Sequence, residues 1–142
     1  MLARRSILRL IDANANRALE GVRVCEEIVR FHVETPRVFH RLRTLRHAIA
    51  AAVRRLPVTP RELIHARASG RDIGRRAVSG RVGSLERACL INLQRAKESL
   101  RVLEECARYL APRQAGAFQR LRFRTYEVER ALLFALATLR HR

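Results

Sequence analysis

The sequence predicts an all-α fold, a four-helix bundle made of two pseudo-symmetric antiparallel helical hairpins, and three observations carry the prediction. A segment is duplicated, apolar residues recur at helical spacing, and no run alternates apolar and polar residues as a strand does. The duplicated stretches are Asn14 to Phe31 (NANRALEGVRVCEEIVRF) and Asn92 to Tyr109 (NLQRAKESLRVLEECARY), which align without a gap at an offset of 78 residues. The alignment pairs Asn14 with Asn92, Arg17 with Arg95, Glu20 with Glu98, Arg23 with Arg101, and Arg30 with Arg108. It also pairs Glu26 and Glu27 with Glu104 and Glu105. After each copy the chain breaks at a proline, Pro36 or Pro112, and resumes as FHRLRTLRH from Phe39 or FQRLRFRTY from Phe118, now at an offset of 79. One inserted residue in a connection is what two hairpins of common origin tolerate.

Four helices are expected, over about 12–31, 36–55, 85–110 and 113–140. In the last of them Phe118, Leu121, Tyr126, Val128, Leu132, Leu133, Leu136 and Leu139 recur near the helical period. Ser84 is placed to cap the third helix, and Pro112 falls at the start of the fourth, where a missing amide does no harm. Between the hairpins, Pro57 to Gly83 opens with Thr59, Pro60 and Glu62 in a capping arrangement for a short helix, then turns rich in glycine, serine and arginine. Connections this long tend to be functional or disordered. The stretch ARASGRDIGRR combines the backbone freedom of Gly70 and Gly74 with Arg67, Arg71 and Arg75, which suits closure over an anion and equally a mobile basic linker.

The 142 residues are expected to form one domain, with repeat one over 12–55, the central loop over 57–83 and repeat two over 85–140. Apolar residues make up 48% of the chain, yet charges interrupt them before the ~20 residues a membrane span needs, so no membrane association is expected. Met1 to Arg9 carries no apolar stretch ending in a small-residue cleavage site, so no signal peptide and a cytoplasmic address are expected. Cys25, Cys89 and Cys106 are odd in number and widely spaced, and are read as reduced core thiols. The net charge of +17 raises nucleic acid as a partner. Against that, the basic residues are nearly all arginines scattered over every segment, and with few aromatics and no tryptophan there is little from which to build a base-stacking platform.

Helical geometry places Ile11, Ala18, Gly21, Cys25, Ile28 and Val29 on one face of the first helix, with Asn14 and Arg17 inside it. Beside that face run Asn16, Glu20, Arg23 and Glu27, matched in the second copy by Gln94, Glu98, Arg101 and Glu105. If the repeated helices face one another, these carboxylates, guanidiniums and amides converge across the pseudo-twofold axis. Two readings follow: a self-satisfied lattice of ion pairs, or a ligand site in which arginines take phosphate and glutamates hold magnesium or accept from an amino group. No metal site is expected from histidine, because His32, His40, His47, His65 and His141 show no ligand spacing, and neither Glu20 nor Glu98 has the histidine three residues on that a di-iron bundle uses. No phosphate-binding P-loop and no Gly-rich dinucleotide fingerprint occurs.

The strings IDANANRALEGVRVCEEIVRF, SGRDIG, NLQRAKESLRVLEECARYL and FQRLRFRTYEVERAL resemble the all-helical domain fused to the N-terminus of some bacterial thiamine phosphate synthases. That family has been proposed to supply a phosphomethylpyrimidine kinase activity. The resemblance spans nearly the whole chain and implies a phosphorylated aminopyrimidine ligand, hydroxymethylpyrimidine phosphate, with ATP and Mg2+ as donor. It makes Glu20, Glu98 and Asp72 the catalytic candidates, and Asn14, Arg17, Arg23, Glu27, Asn92, Arg95, Arg101, Glu105 and Arg71 the substrate-binding ones. Within that set Glu20 or Glu98 would take the amino group and Arg17, Arg95 and Arg71 the phosphate. Asp72 would hold metal or orient a hydroxymethyl nucleophile. The synthase barrel is not in this sequence. The expectations are therefore a thiamine-pathway kinase domain acting by itself, or a non-catalytic module that meets thiamine phosphate synthase as a separate subunit or homodimerises. A helical nucleic-acid binder is the weaker third.

Overall fold

A computed structural model describes residues 2–77 and 79–140, and among them every regular element is helical. The first helix, α1 (Leu2–Ile28), runs into one π-helical turn over Val29–Val33, and α2 follows at Pro36–Arg54. A short α3 (Pro60–Ala66) and a 3-10 turn at Ser69–Arg71 interrupt the central connection. The second half consists of α4 (Leu85–Leu110), a 3-10 turn at Pro112–Gln114 and α5 (Ala115–Arg140). His141 lies outside the described residues.

Local chemistry accounts for most of the boundaries. Ser84 Oγ accepts the Arg87 amide at 3.0 Å and starts α4, while Thr59 and Glu62 form a reciprocal capping box on α3. The end of α1 is closed by Glu34, which adopts the left-handed conformation (φ 55°, ψ 41°) and donates its amide to the Val29 carbonyl at 2.7 Å. One boundary differs from expectation: α1 begins ten residues before Asp12. The reason is packing, because Ile7, Leu8 and Ile11 extend the buried stripe one face further back, with no capping residue to announce the start.

Each long helix packs on two others, α1 on α4 and α2, and α5 on the same pair. Phe118, Leu42, Leu45, Ile49, Leu93 and Leu100 fill the space between them. Helices α1 and α4 run antiparallel, since Gly21 lies against Asn92 while Cys25, one turn on, donates its thiol to the carbonyl of Cys89, one turn back, at 3.1 Å. All three cysteines are free and buried. The Cys25 thiol is pushed up by its contact with Cys89 and by burial, and that of Cys106 by burial, which keeps both protonated and inert.

An ion pair braces each hairpin internally. Arg46 of α2 grips Glu26 at 2.6 and 3.1 Å, and Arg122 of α5 reaches Glu104 at 3.1 Å. The two arrangements are not copies. The residue that the offset of 79 sets against Arg46 is Thr125, a buried hydroxyl that donates to the Leu121 carbonyl at 2.8 Å, and Arg122 takes over from one turn earlier. Glu26 is 2% exposed. Burial disfavours its charge, but the hydrogen bonds and charge of Arg46, with Arg23 and Arg43 nearby, hold its carboxyl below the ordinary 4.5. A depressed carboxyl contributes stability that is complete above its ordinary value and lost as pH falls through its folded value. The urea midpoint is therefore expected to fall from pH 5 to pH 3. Glu26→Gln should cost about 2 kcal/mol at pH 6 and flatten part of that acid slope, with Glu62 and Glu105, also held low by arginines, supplying the rest.

Candidate functional site

The 78-residue offset has local counterparts in the structure. Asn14 and Asn92 each donate Nδ2 to the carbonyl four residues earlier, Leu10 at 2.9 Å and Ala88 at 2.8 Å. That bond fixes both side chains and leaves each amide oxygen as a rigid acceptor. Between them the helices touch: a Cβ built on Gly21 would lie 2.7 Å from the Asn92 backbone oxygen, so only glycine permits this approach. Ala18 and Ala96, both fully buried, extend the close contact.

A cleft opens along this seam. Its central chamber, about 550 Å³, is lined by Asn14, Arg17 and Glu20 from α1 and by Asn92, Arg95 and Glu98 from α4, with Ser99 and Val102 as further wall. A second chamber of about 740 Å³ shares Asn14, Arg17 and Glu20 and extends along α1 past Arg9 to the turn of the central connection, where Ser69 and Asp72 close it. Arg17, Glu20, Arg95 and Glu98 make no ion pair and no side-chain hydrogen bond among the described residues.

The same stripe behaves differently one turn beyond Glu20 and Glu98. Arg23 pairs with Glu27 at 3.3 Å along α1, and Arg101 with Glu105 at 2.8 Å along α4, with Arg108 joining Glu105 at 3.0 Å. Arg101 and Glu105 line a neighbouring groove with Ile7, Leu10, Val102 and Tyr109, and neither they nor Arg23 and Glu27 line the cleft. The convergence expected of both stripes is thus divided. Asn14, Arg17, Glu20 and their copies meet in the cleft, whereas Arg23, Glu27, Arg101 and Glu105 satisfy one another outside it. Arg17, expected within the apolar face, is exposed at the rim.

The central connection reaches the site through a residue pair. Arg67 grips Asp12 in a bidentate bridge, Nε to Oδ2 at 2.7 Å and Nη2 to Oδ1 at 2.8 Å. This contact raises the Arg67 guanidinium and holds the Ser69–Arg71 turn beside α1. Arg67 was one of three arginines suited to closing over an anion, and the anion it meets is the chain's own Asp12. Asp72 lines the cleft and accepts the Gly74 amide on Oδ1 at 2.8 Å, which leaves its second oxygen toward other partners. Arg71 is exposed and does not line the cleft. Asp12, Arg9, Ser69 and Ser99 were not anticipated, and only Asp12, an acid next to the apolar Ile11 at the head of the repeat, offered a sequence signal.

Among the described residues no cluster of three or more His, Cys, Asp or Glu side chains could hold a metal ion by itself. His32 approaches Glu86 at 3.1 Å, and His40, His47 and His65 are exposed. Among the described residues, too, no helix is long and apolar enough to cross a membrane.

Comparison with known proteins places the chain among relatives. It is similar to the thiamine-phosphate synthase of Synechocystis sp., with 36% identity over 134 residues, 90% of this chain and 36% of that protein. The thiamine-phosphate synthase of Rhodopirellula baltica is 33% identical over 141 residues, 97% of this chain and 37% of the relative, and that of Gloeobacter violaceus is 32% identical over 123 residues, covering 87% and 35%. The chain thus spans about a third of the length of the curated relatives it matches. No solved structure matches it significantly. The ThiD2 family matches over residues 9–131, which takes in the duplicated stretches Asn14 to Phe31 and Asn92 to Tyr109 and the connection between them, and the chain belongs to that family.

Proposed function

We propose that the cleft binds a phosphorylated aminopyrimidine of thiamine biosynthesis and transfers a phosphoryl group to it, the reaction of a phosphomethylpyrimidine kinase. One observation carries the reading: four charged side chains in one cleft, Arg17, Glu20, Arg95 and Glu98, stand without partners among the described residues while charges one turn away are paired. Ion-pair lattices form readily at three- and four-residue spacing, so leaving these four open suits a ligand that supplies both an anion and hydrogen-bond donors. Hydroxymethylpyrimidine phosphate has both. Its phosphate suits the guanidiniums of Arg17 and Arg95, and its exocyclic amino group suits Glu20 or Glu98, with the fixed oxygens of Asn14 and Asn92 as further acceptors.

The chemistry asks little more. A phosphate monoester is largely dianionic near pH 7, so the attacking oxygen carries no proton to remove, and no general base is required. Asp72 is thereby left the role of holding metal, not of activating a hydroxyl. Catalysis then rests on positioning and on neutralising charge at the equatorial oxygens, which arginines do. Magnesium bound with a nucleoside triphosphate would neutralise its phosphates, and Asp72 and Glu20, which line the same chamber, would be the carboxylates to hold it.

Hydroxymethylpyrimidine phosphate at ~100 times its dissociation constant is expected to add ~2.7 kcal/mol of stability, a rise of about 8 °C in the thermal midpoint. With magnesium ATP present, phosphorus NMR should show the diphosphate forming in step with ADP. A shift without turnover would leave a binding domain. No shift with either ligand, together with co-elution with a thiamine-phosphate synthase, would favour a partner module, which the apolar groove of Ile7, Leu10, Val102 and the exposed Tyr109 also suits.

A further inference from the structure

The cleft is not one space but two that share a wall, and the two differ in chemistry. The central chamber is nearly symmetric about the seam, with paired asparagines and glutamates, Ser99 and the apolar Val102 as its lining. Its acceptors are numerous, and the two asparagine oxygens among them are fixed, which suits a small ring that donates from an amino group. The outer chamber is larger and lopsided. It offers the Arg9 and Arg17 guanidiniums, neither paired among the described residues, the Ser69 hydroxyl and the Asp72 carboxylate, with Leu10 and Ala68 as apolar wall. Two free cations, a hydroxyl and the carboxylates of Asp72 and Glu20 suit a polyphosphate carrying a divalent ion, and the apolar wall suits a base. The symmetry of the helices cannot provide this second chamber. It exists because the Asp12–Arg67 bridge holds the Ser69–Arg71 turn against α1, and the central connection occurs once in the chain.

We propose, resting on the kinase reading above, that the two chambers are the two substrate sites: the outer chamber takes the nucleoside triphosphate and the central one the pyrimidine phosphate. Arg17 and Glu20, common to both walls, mark the crossing point. There the bond between the terminal phosphorus and its bridging oxygen breaks, the electron pair leaving with the nucleoside diphosphate. An oxygen of the pyrimidine phosphate forms the new P–O bond, giving the pyrimidine diphosphate. Arg9, outside both copies of the repeat, becomes a donor-site residue. Glu98, on the far side of the seam, becomes an acceptor-site residue.

The test is equilibrium binding of magnesium with a non-hydrolysable ATP analogue, and of hydroxymethylpyrimidine phosphate, each alone and in the presence of the other. Wild type, Arg9→Ala and Glu98→Gln are compared after their melting temperatures have been matched. Both ligands should saturate together. Arg9→Ala should weaken the nucleotide analogue about tenfold or more and leave the pyrimidine phosphate within about twofold, and Glu98→Gln should do the reverse. Displacement of one ligand by the other, equal weakening of both by either variant, or an interchange of the two effects would overturn the assignment while pyrimidine binding stands. Failure of the pyrimidine phosphate to bind wild type would instead bring down the functional reading, and the assignment with it.

Discussion

Replacing Gly21 by valine is expected to be the most disruptive single change at the seam, costing about 3 kcal/mol of stability and abolishing ligand binding together. The new Cβ would sit 2.7 Å from a backbone oxygen, that of Asn92, and 3.6 Å from the Ala96 side chain. A carbonyl held in a helix cannot rotate away as a flexible side chain can, so α1 and α4 must separate. Valine gains only a few tenths of a kcal/mol in helix propensity over glycine, too little to offset the clash. Separation would also spread Asn14, Arg17 and Glu20 away from Asn92, Arg95 and Glu98, which is why binding should go with stability. Urea unfolding and ligand titration at a temperature where the variant is still folded check the two effects. A variant as stable as wild type, with normal binding, would mean that the helices do not approach this closely.

Arg95→Ala is expected to lower the affinity for hydroxymethylpyrimidine phosphate about 100-fold, near the upper range for a charge-assisted hydrogen bond lost from a site. Stability should hold within about 0.5 kcal/mol, because Arg95 is exposed and has no partner among the described residues to leave behind. Arg101→Ala is the matched control. It lies two turns on along the same helix and binds Glu105, with which it makes a surface pair worth little, so affinity should change less than about twofold. Isothermal titration separates the two. Equal losses would show that net positive charge, not the cleft, attracts the phosphate.

Much of this was legible because helices write their packing into sequence at a fixed period. The duplicated Asn, Arg and Glu positions mark six of the residues that line the cleft. Sequence could not say where along the stripe of Asn16, Glu20, Arg23 and Glu27 the cleft ends, since Glu20 and Arg23 are three residues apart and both have suitable neighbours. The close approach of α1 and α4 at Gly21, where a Cβ would lie 2.7 Å from the Asn92 backbone oxygen, brings the cleft residues of the two helices to one seam. The outer chamber was the least legible part. Arg67 and Asp12 are far apart in sequence, and no local pattern links a loop arginine to an acid in a helix. The early start of α1 was hidden for a simpler reason, because arginines around Ile7 and Leu8 mask a short apolar stripe.

The most direct measurement is amide hydrogen exchange with and without hydroxymethylpyrimidine phosphate. Slowing is expected in peptides covering 9–20, 66–77 and 92–99, the three segments that line the cleft, with the outer surface of α5 unchanged. Protection confined to α5 or to the groove by Tyr109, with those three segments exchanging as before, would contradict the placement of the ligand between α1 and α4.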